Sequence, residues 1–245
     1  MPRGARTKSE YGYYHLTTRG IGGQNIFEDR DDYIRYLNLL KRFSDETNVK
    51  ICAYCLMGNH VHLLIYDKND NVSLFAKKLT GTYAMYFNNK YNRPGYLFQG
   101  RFGSVPIESN VQLLRTFRYI LNNPEEGGIC PKDRYEWSSY SKYGNPASFV
   151  DTAVLVEMLG SFEEYKAFLD SGDEEPVKRP DVFAHNDEWA KGIVREVLKG
   201  ENVMNFKTYD TEKRDKILRI LKAKGLSIRQ IARLTGISKS VIQRA

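Results

Sequence analysis

His60-Val61-His62 is the sharpest chemical feature of the 245-residue chain. Side chains alternate along an extended strand, so residues two apart leave the same face with Cα atoms about 7 Å apart. Both imidazoles could then converge on one ion, while Val61, Leu63 and Ile65 turn to the core. Alone, an H-x-H pair is a weak signal and reads more readily as two ordinary surface or hydrogen-bonded histidines. Cys52 and Cys55 look like a metal or redox pair until the same alternation is applied: three apart, they face opposite sides and read as packing residues. Tyr119 and Asn123 lie four apart in a helical pattern, which puts them on one helix face about 6 Å apart at Cβ. The tyrosine could be a nucleophile and the amide oxygen could complete a His-His-Asn metal set. The alternative is a tyrosine that packs beside Phe117.

A phenol with an ordinary pKa near 10 is neutral at pH 7, so attack on a phosphodiester needs help at the phosphate. A divalent ion bound to a non-bridging oxygen supplies that help. Two imidazoles, one amide and open water positions suit Mg2+ or Mn2+, with zinc still open on ligand type alone.

The charge distribution favours a polyanionic partner. Net charge is +7 overall, and residues 1–124, 125–210 and 211–245 carry +7, −8 and +8. Two basic blocks around an acidic one suggest two anion-binding modules on a connector, and nucleic acid leads as partner class. Aromatic and cationic residues interleave from Tyr83 to Arg101, a mixture that suits single-stranded DNA because bases stack on rings while cations follow the backbone. Phe75, Leu79, Tyr83, Tyr86 and Phe87 keep helical spacing and read as core. DNA contact is therefore assigned to Arg93, Tyr96 and Arg101, with Arg3, Arg6 and Lys8 as a basic amino-terminal arm. Three cysteines are too few for a disulfide framework, and no apolar run approaches the roughly 18 residues of a membrane span. The opening MPRGARTKSE lacks the apolar stretch of a signal peptide, so a cytoplasmic protein without a membrane partner is expected.

The elements that must hold these residues read as strand 11–18, helix 29–47, strands 49–56 and 60–66 joined through Met57-Gly58-Asn59, helix 73–89, strand 101–107 and helix 110–122, stopped by Pro124. The order β-α-β-β-α-β-α suits an α+β ferredoxin-like sandwich with the tyrosine helix appended after the last strand. The expected domains are 1–145, an acidic and partly helical connector over 146–208, and a basic helical segment over 209–245.

The motifs MPRGAR, YHLTTRG, ICAYCLMGNHVHLLI, GYLFQGRFGS, FRYILNNP and YEWSSYSKY follow one another over about the first 145 residues. In this order they resemble the REP-associated tyrosine transposases, single-tyrosine members of the HUH endonuclease superfamily. The resemblance implies that His60, His62 and Asn123 bind the divalent ion, and that Tyr119 forms a 5′-phosphotyrosine bond to single-stranded DNA, freeing a 3′-hydroxyl. It also implies imperfect-palindrome hairpins as substrates. The chain departs from the family pattern at Gly58, Gly103 and Glu125-Glu126; the last two remove positive charge near the expected DNA path.

Residues 211–223, 228–234 and 239–244 read as helices, the last two separated by Gly236-Ile237-Ser238, and resemble a helix-turn-helix. Lys239, Ser240, Gln243 and Arg244 would face duplex DNA. The expectation is a metal-dependent single-strand DNA endonuclease and strand transferase, monomeric or homodimeric. Its rivals are a non-catalytic helix-turn-helix regulator and a metal phosphodiesterase that uses water.

Overall fold

The structure, a computed structural model, describes residues 7–172, 187–198, 206, 209–223, 226 and 228–244. The chain divides into two compact units, residues 1–182 and 183–245.

In the first unit, β1 (Tyr13–Arg19), β2 (Lys50–Met57), β3 (His60–Tyr66) and β4 (Gly103–Ile107) form one sheet in the order β2-β3-β1-β4, with every neighbouring pair antiparallel. Helices α1 (Arg30–Thr47) and α2 (Val72–Lys90) connect β1 to β2 and β3 to β4. This is the α+β sandwich the sequence leads one to expect, and the alternation of side chains explains its two cores. Tyr14, Leu16, Tyr54, Leu56, Val61, Leu63 and Ile65 turn to α1 and α2, where Tyr36, Leu40, Phe75, Leu79 and Tyr83 meet them. The opposite face packs against α3 (Asn110–Glu126) through Phe117, Ile120 and Leu121.

α1 opens with a reciprocal cap in which Asp29 accepts from the Asp32 N–H and Asp32 accepts from the Asp29 N–H. β2 ends at Met57 and β3 begins at His60, so the hairpin has a two-residue turn. α3 does not stop before Pro124 but runs to Glu126. Proline removes only its own N–H, and the final turn closes without it: Gly127 N–H donates to the Asn123 carbonyl and Ile129 N–H to the Pro124 carbonyl. Pro124 is itself buried, so packing holds the turn.

The placement of Cys52 and Cys55 on opposite faces is corrected. The β2–β3 register shifts between Ile51 and Ala53, and this bulge turns Cys52 to the same side as Ala53 and Cys55. Both are buried free thiols, and burial pushes both far up in pKa.

The stretch 146–208 is shared between the units. α4 (Ala153–Leu159) and α5 (Phe162–Asp170) lie in the first and bury Leu155, Tyr165 and Leu169 beside Phe117. α6 (Asp187–Val197) lies in the second, with α7 (Thr211–Ala223), α8 (Ile228–Thr235) and α9 (Lys239–Arg244). There Val194, Leu198, Phe206, Leu218, Leu221, Leu226, Ile231 and Ile242 form a separate small core. Gly236, with φ +68°, makes the left-handed turn after α8 that a Cβ would oppose. Among the described residues no helix is long and apolar enough to cross a membrane.

Candidate active site

β3 and α3 bring the chemically active residues together on the α3 side of the sheet. The His60 and His62 rings are 5.0 Å apart and nearly perpendicular. The Tyr119 ring lies 5.3 Å from His62, edge to face. Asn123, one helical turn further along α3, is a hydrogen-bond partner of His60, and its Nδ2 donates to the Tyr119 carbonyl at 2.7 Å. His62 and Asn123 are buried, while His60 and Tyr119 are half-buried.

Burial, helped by the nearby Arg19 cation and only partly offset by Asn123, lowers the His60 pKa to about 4. The ring is therefore neutral at pH 7 and has a lone pair to give. Two imidazoles with an amide beside them form a neutral nitrogen and oxygen donor set that fits Mg2+ or Mn2+, with positions left for water or phosphate oxygen. Among the described residues no three His, Cys, Asp or Glu side chains form a group that could hold a metal ion, and the side chain in contact with His60 from α3 is the amide of Asn123.

Three further residues belong to this place. His15, on β1, is almost fully buried; its Nε2 is 2.9 Å from His62 Nδ1 and its ring is 5.8 Å from that of Tyr119. Arg19 pairs with His60 across the β1–β3 ladder. Asn59, in the hairpin turn, holds His60 Nδ1 at 2.6 Å. One signal for His15 was local: it stands between Tyr14 and Leu16, whose side chains fill the opposite face, so alternation turns it to the side of the histidine pair.

The loop after α2 is tied to the end of β1. Gln99 N–H donates to the Arg19 carbonyl, and Ile21 N–H and Gln24 Nε2 both donate to the Leu97 carbonyl. Gly20 bridges to Phe98 and donates to the Asn59 carbonyl. A Cβ on Gly20 would collide with the Gln24 carbonyl oxygen, so only glycine lets the chain fold back here. Of the residues assigned to DNA contact, Arg93 is held by Gln24 at 2.5 Å and lies over the Phe87 ring, Tyr96 is 86% exposed, and Arg101 is exposed. Lys8 is exposed and forms an ion pair with Asp70 at 2.6 Å. Arg3 and Arg6, and the side chains of Lys239, Ser240 and Arg244, lie outside the described residues; Gln243 is exposed in the second unit. Glu125 pairs with Lys132 at 3.1 Å, and Gly103 faces Thr17 at the start of β4.

Comparison with known proteins bears on the fold that carries these residues. Residues 8–123 match the family model described as Transposase IS200 like. Among solved structures, a REP-associated tyrosine transposase bound to a REP hairpin shares the fold, with a TM-score of 0.52 at 14% identity over 74% of this chain and 98% of that one. A putative transposase from Deinococcus radiodurans R1 aligns with a TM-score of 0.34 at 21% identity, over 50% of this chain and 95% of that one. No curated protein sequence matches. The matched stretch contains the whole sheet, the histidine pair, the tyrosine and the asparagine, and over these residues the chain is similar to the IS200-like transposases.

Proposed function

We propose that this domain cuts and rejoins single-stranded DNA, with Tyr119 as nucleophile and His60, His62 and Asn123 as the ligands of a magnesium or manganese ion. The observation that carries the reading is the Tyr119 ring 5.3 Å from His62, on a helix whose next turn brings Asn123 to His60. When bound, the ion polarises the scissile phosphate and offsets the charge that grows in the transition state. Tyr119 Oη attacks phosphorus in line with the departing 3′-oxygen. The new O–P bond forms as the P–O3′ bond breaks; the phenol gives up its proton and the 3′-oxygen takes one up. The products are a 5′-phosphotyrosine and a free 3′-hydroxyl, and attack by a 3′-hydroxyl on the phosphotyrosine reverses the step.

Hairpin DNA is the proposed substrate: a chain of the same fold is bound to a REP hairpin. Tyr96 and Arg93 sit on a loop tied to the end of β1 beside His60, where a strand leaving the site would meet an exposed ring. In the second unit, Lys239, Ser240, Gln243 and Arg244 on α9 would contact duplex DNA, with α8 and the turn at Gly236 completing a helix-turn-helix.

A denaturing gel tests the proposal. With manganese and a hairpin oligonucleotide, the native chain is expected to leave a covalent protein–DNA adduct and Tyr119→Phe none. Normal cleavage by Tyr119→Phe would make water the nucleophile. If neither protein cleaves any oligonucleotide and both bind duplex, a DNA-binding regulator is the better description.

A further inference from the structure

Each imidazole of the pair has its Nδ1 occupied by a residue outside the proposed ligand set. Asn59 Nδ2 donates to the Gly23 carbonyl at 3.2 Å, which fixes the amide so that its oxygen faces His60 Nδ1 at 2.6 Å. An amide oxygen only accepts, so the Asn59 contact favours the His60 tautomer with its proton on Nδ1 and its lone pair on Nε2, the side left to a cation. His62 Nδ1 meets His15 Nε2 at 2.9 Å, and both side chains are about 1% exposed. Two tautomeric arrangements satisfy that contact. Only the one in which His62 Nδ1–H donates to His15 leaves a lone pair on His62 Nε2. His15 is further braced by the Tyr119 ring, so one imidazole contacts both the proposed ligand and the proposed nucleophile.

We infer that His15 and Asn59 are positioning residues: by accepting the Nδ1 protons of His62 and His60 they fix tautomer and ring orientation, presenting both Nε2 lone pairs to one divalent cation. The inference rests on the metal site proposed above. Residues that hold the second ring nitrogen of a ligating histidine typically change metal affinity about 10- to 100-fold when removed. Neither residue touches the cation itself.

The test measures Mn2+ binding to the full chain without DNA, by electron paramagnetic resonance of the free ion. His15→Phe and Asn59→Leu keep the volume and remove the acceptor; both are expected to weaken Mn2+ binding about 10- to 100-fold. His15→Gln and Asn59→Asp restore an oxygen acceptor and are expected to bind within about threefold of the native chain. If the Phe and Leu variants bind as tightly as the native chain while melting at lower temperature, His15 and Asn59 are packing residues and the inference falls. Where a variant does not fold, ring 15N chemical shifts of the native Mg2+-loaded protein decide: protons on Nδ1 of both His60 and His62 are expected, and a proton on either Nε2 overturns the inference. A native chain that binds no Mn2+, or whose binding is unaffected by His60→Ala, overturns the metal site and the inference with it. Failure confined to the His15 and Asn59 variants leaves the metal site standing.

Discussion

Tyr119, His15 and His62 form a triangle of rings with centroid separations between 5.2 and 5.8 Å, so a change at any one is felt by the other two. Tyr96 is the opposite case, exposed and at the mouth of a loop, and its ring is free of packing duties. Tyr96→Ala is expected to weaken single-strand binding about 5- to 150-fold, the equivalent of one base unstacked at about 1 to 3 kcal/mol, with little change in melting temperature. Fluorescence anisotropy with a labelled hairpin bearing a single-stranded tail measures it; unchanged affinity would remove Tyr96 from the DNA path. At this scale the histidine pair and the Tyr119–Asn123 face were readable because both depend on local periodicity. Arg19 and Asn59 were not, because a cross-strand register and a turn geometry bring them to His60, and neither leaves a pattern in the chain.

The helix that carries Tyr119 is fastened by α5. Arg118 Nη1 donates to the Ser171 carbonyl at 2.5 Å, to Ser171 Oγ at 2.6 Å and to the Gly172 carbonyl at 3.1 Å, with its guanidinium over the Phe168 ring. Asn122 donates to the Leu169 carbonyl, and Lys132 bridges Glu125 and Asp170. Arg118→Ala removes charge-assisted bonds at a nearly buried position and is expected to destabilise the first unit by about 1.5–3 kcal/mol, read as a lower melting temperature. At the start of α1, burial pushes the Asp32 carboxyl upward, but the Lys90 ammonium, the Glu28 and Asp29 N–H groups and the Tyr91 hydroxyl outweigh it and hold the pKa below the ordinary carboxylate range. A lowered folded-state pKa gives stability that is present above the unfolded value near 4 and fades as pH falls through the folded one. The loss in Asp32→Asn should accordingly be large at pH 7 and shrink toward pH 3, as thermal melts at the two pH values would show; equal losses would rule out the charge. α4 and α5 fall in the stretch expected to be a partly helical connector, but their docking on Phe117 was not legible, since short helices with a single buried stripe say nothing about which surface they cover.

Across the molecule, the charge blocks of +7, −8 and +8 fall on two compact units rather than three. The acidic block is divided at residue 182, so part of it belongs with the tyrosine domain and part with α6. If residues 209–245 form a separate duplex-binding module, deleting them should flatten the salt dependence of duplex binding more than that of hairpin binding. Each phosphate that is no longer neutralised changes the slope of log K against log salt by about 0.9 for duplex and 0.7 for single strands. Equal flattening for both substrates would count against two modules. Alternating patterns disclosed the sheet and its two layers; the division of the chain came from packing between distant segments.

The bulge in β2 gathers Cys52 and Cys55 beneath the layer that includes α3. Oxidants and alkylating reagents reach those sulfurs only when that layer lifts, whereas Cys130 is half-open from the start. The chain thus stores two silent reporters under the helix that carries Tyr119, and their modification would mark the moment at which that helix lets go of the sheet.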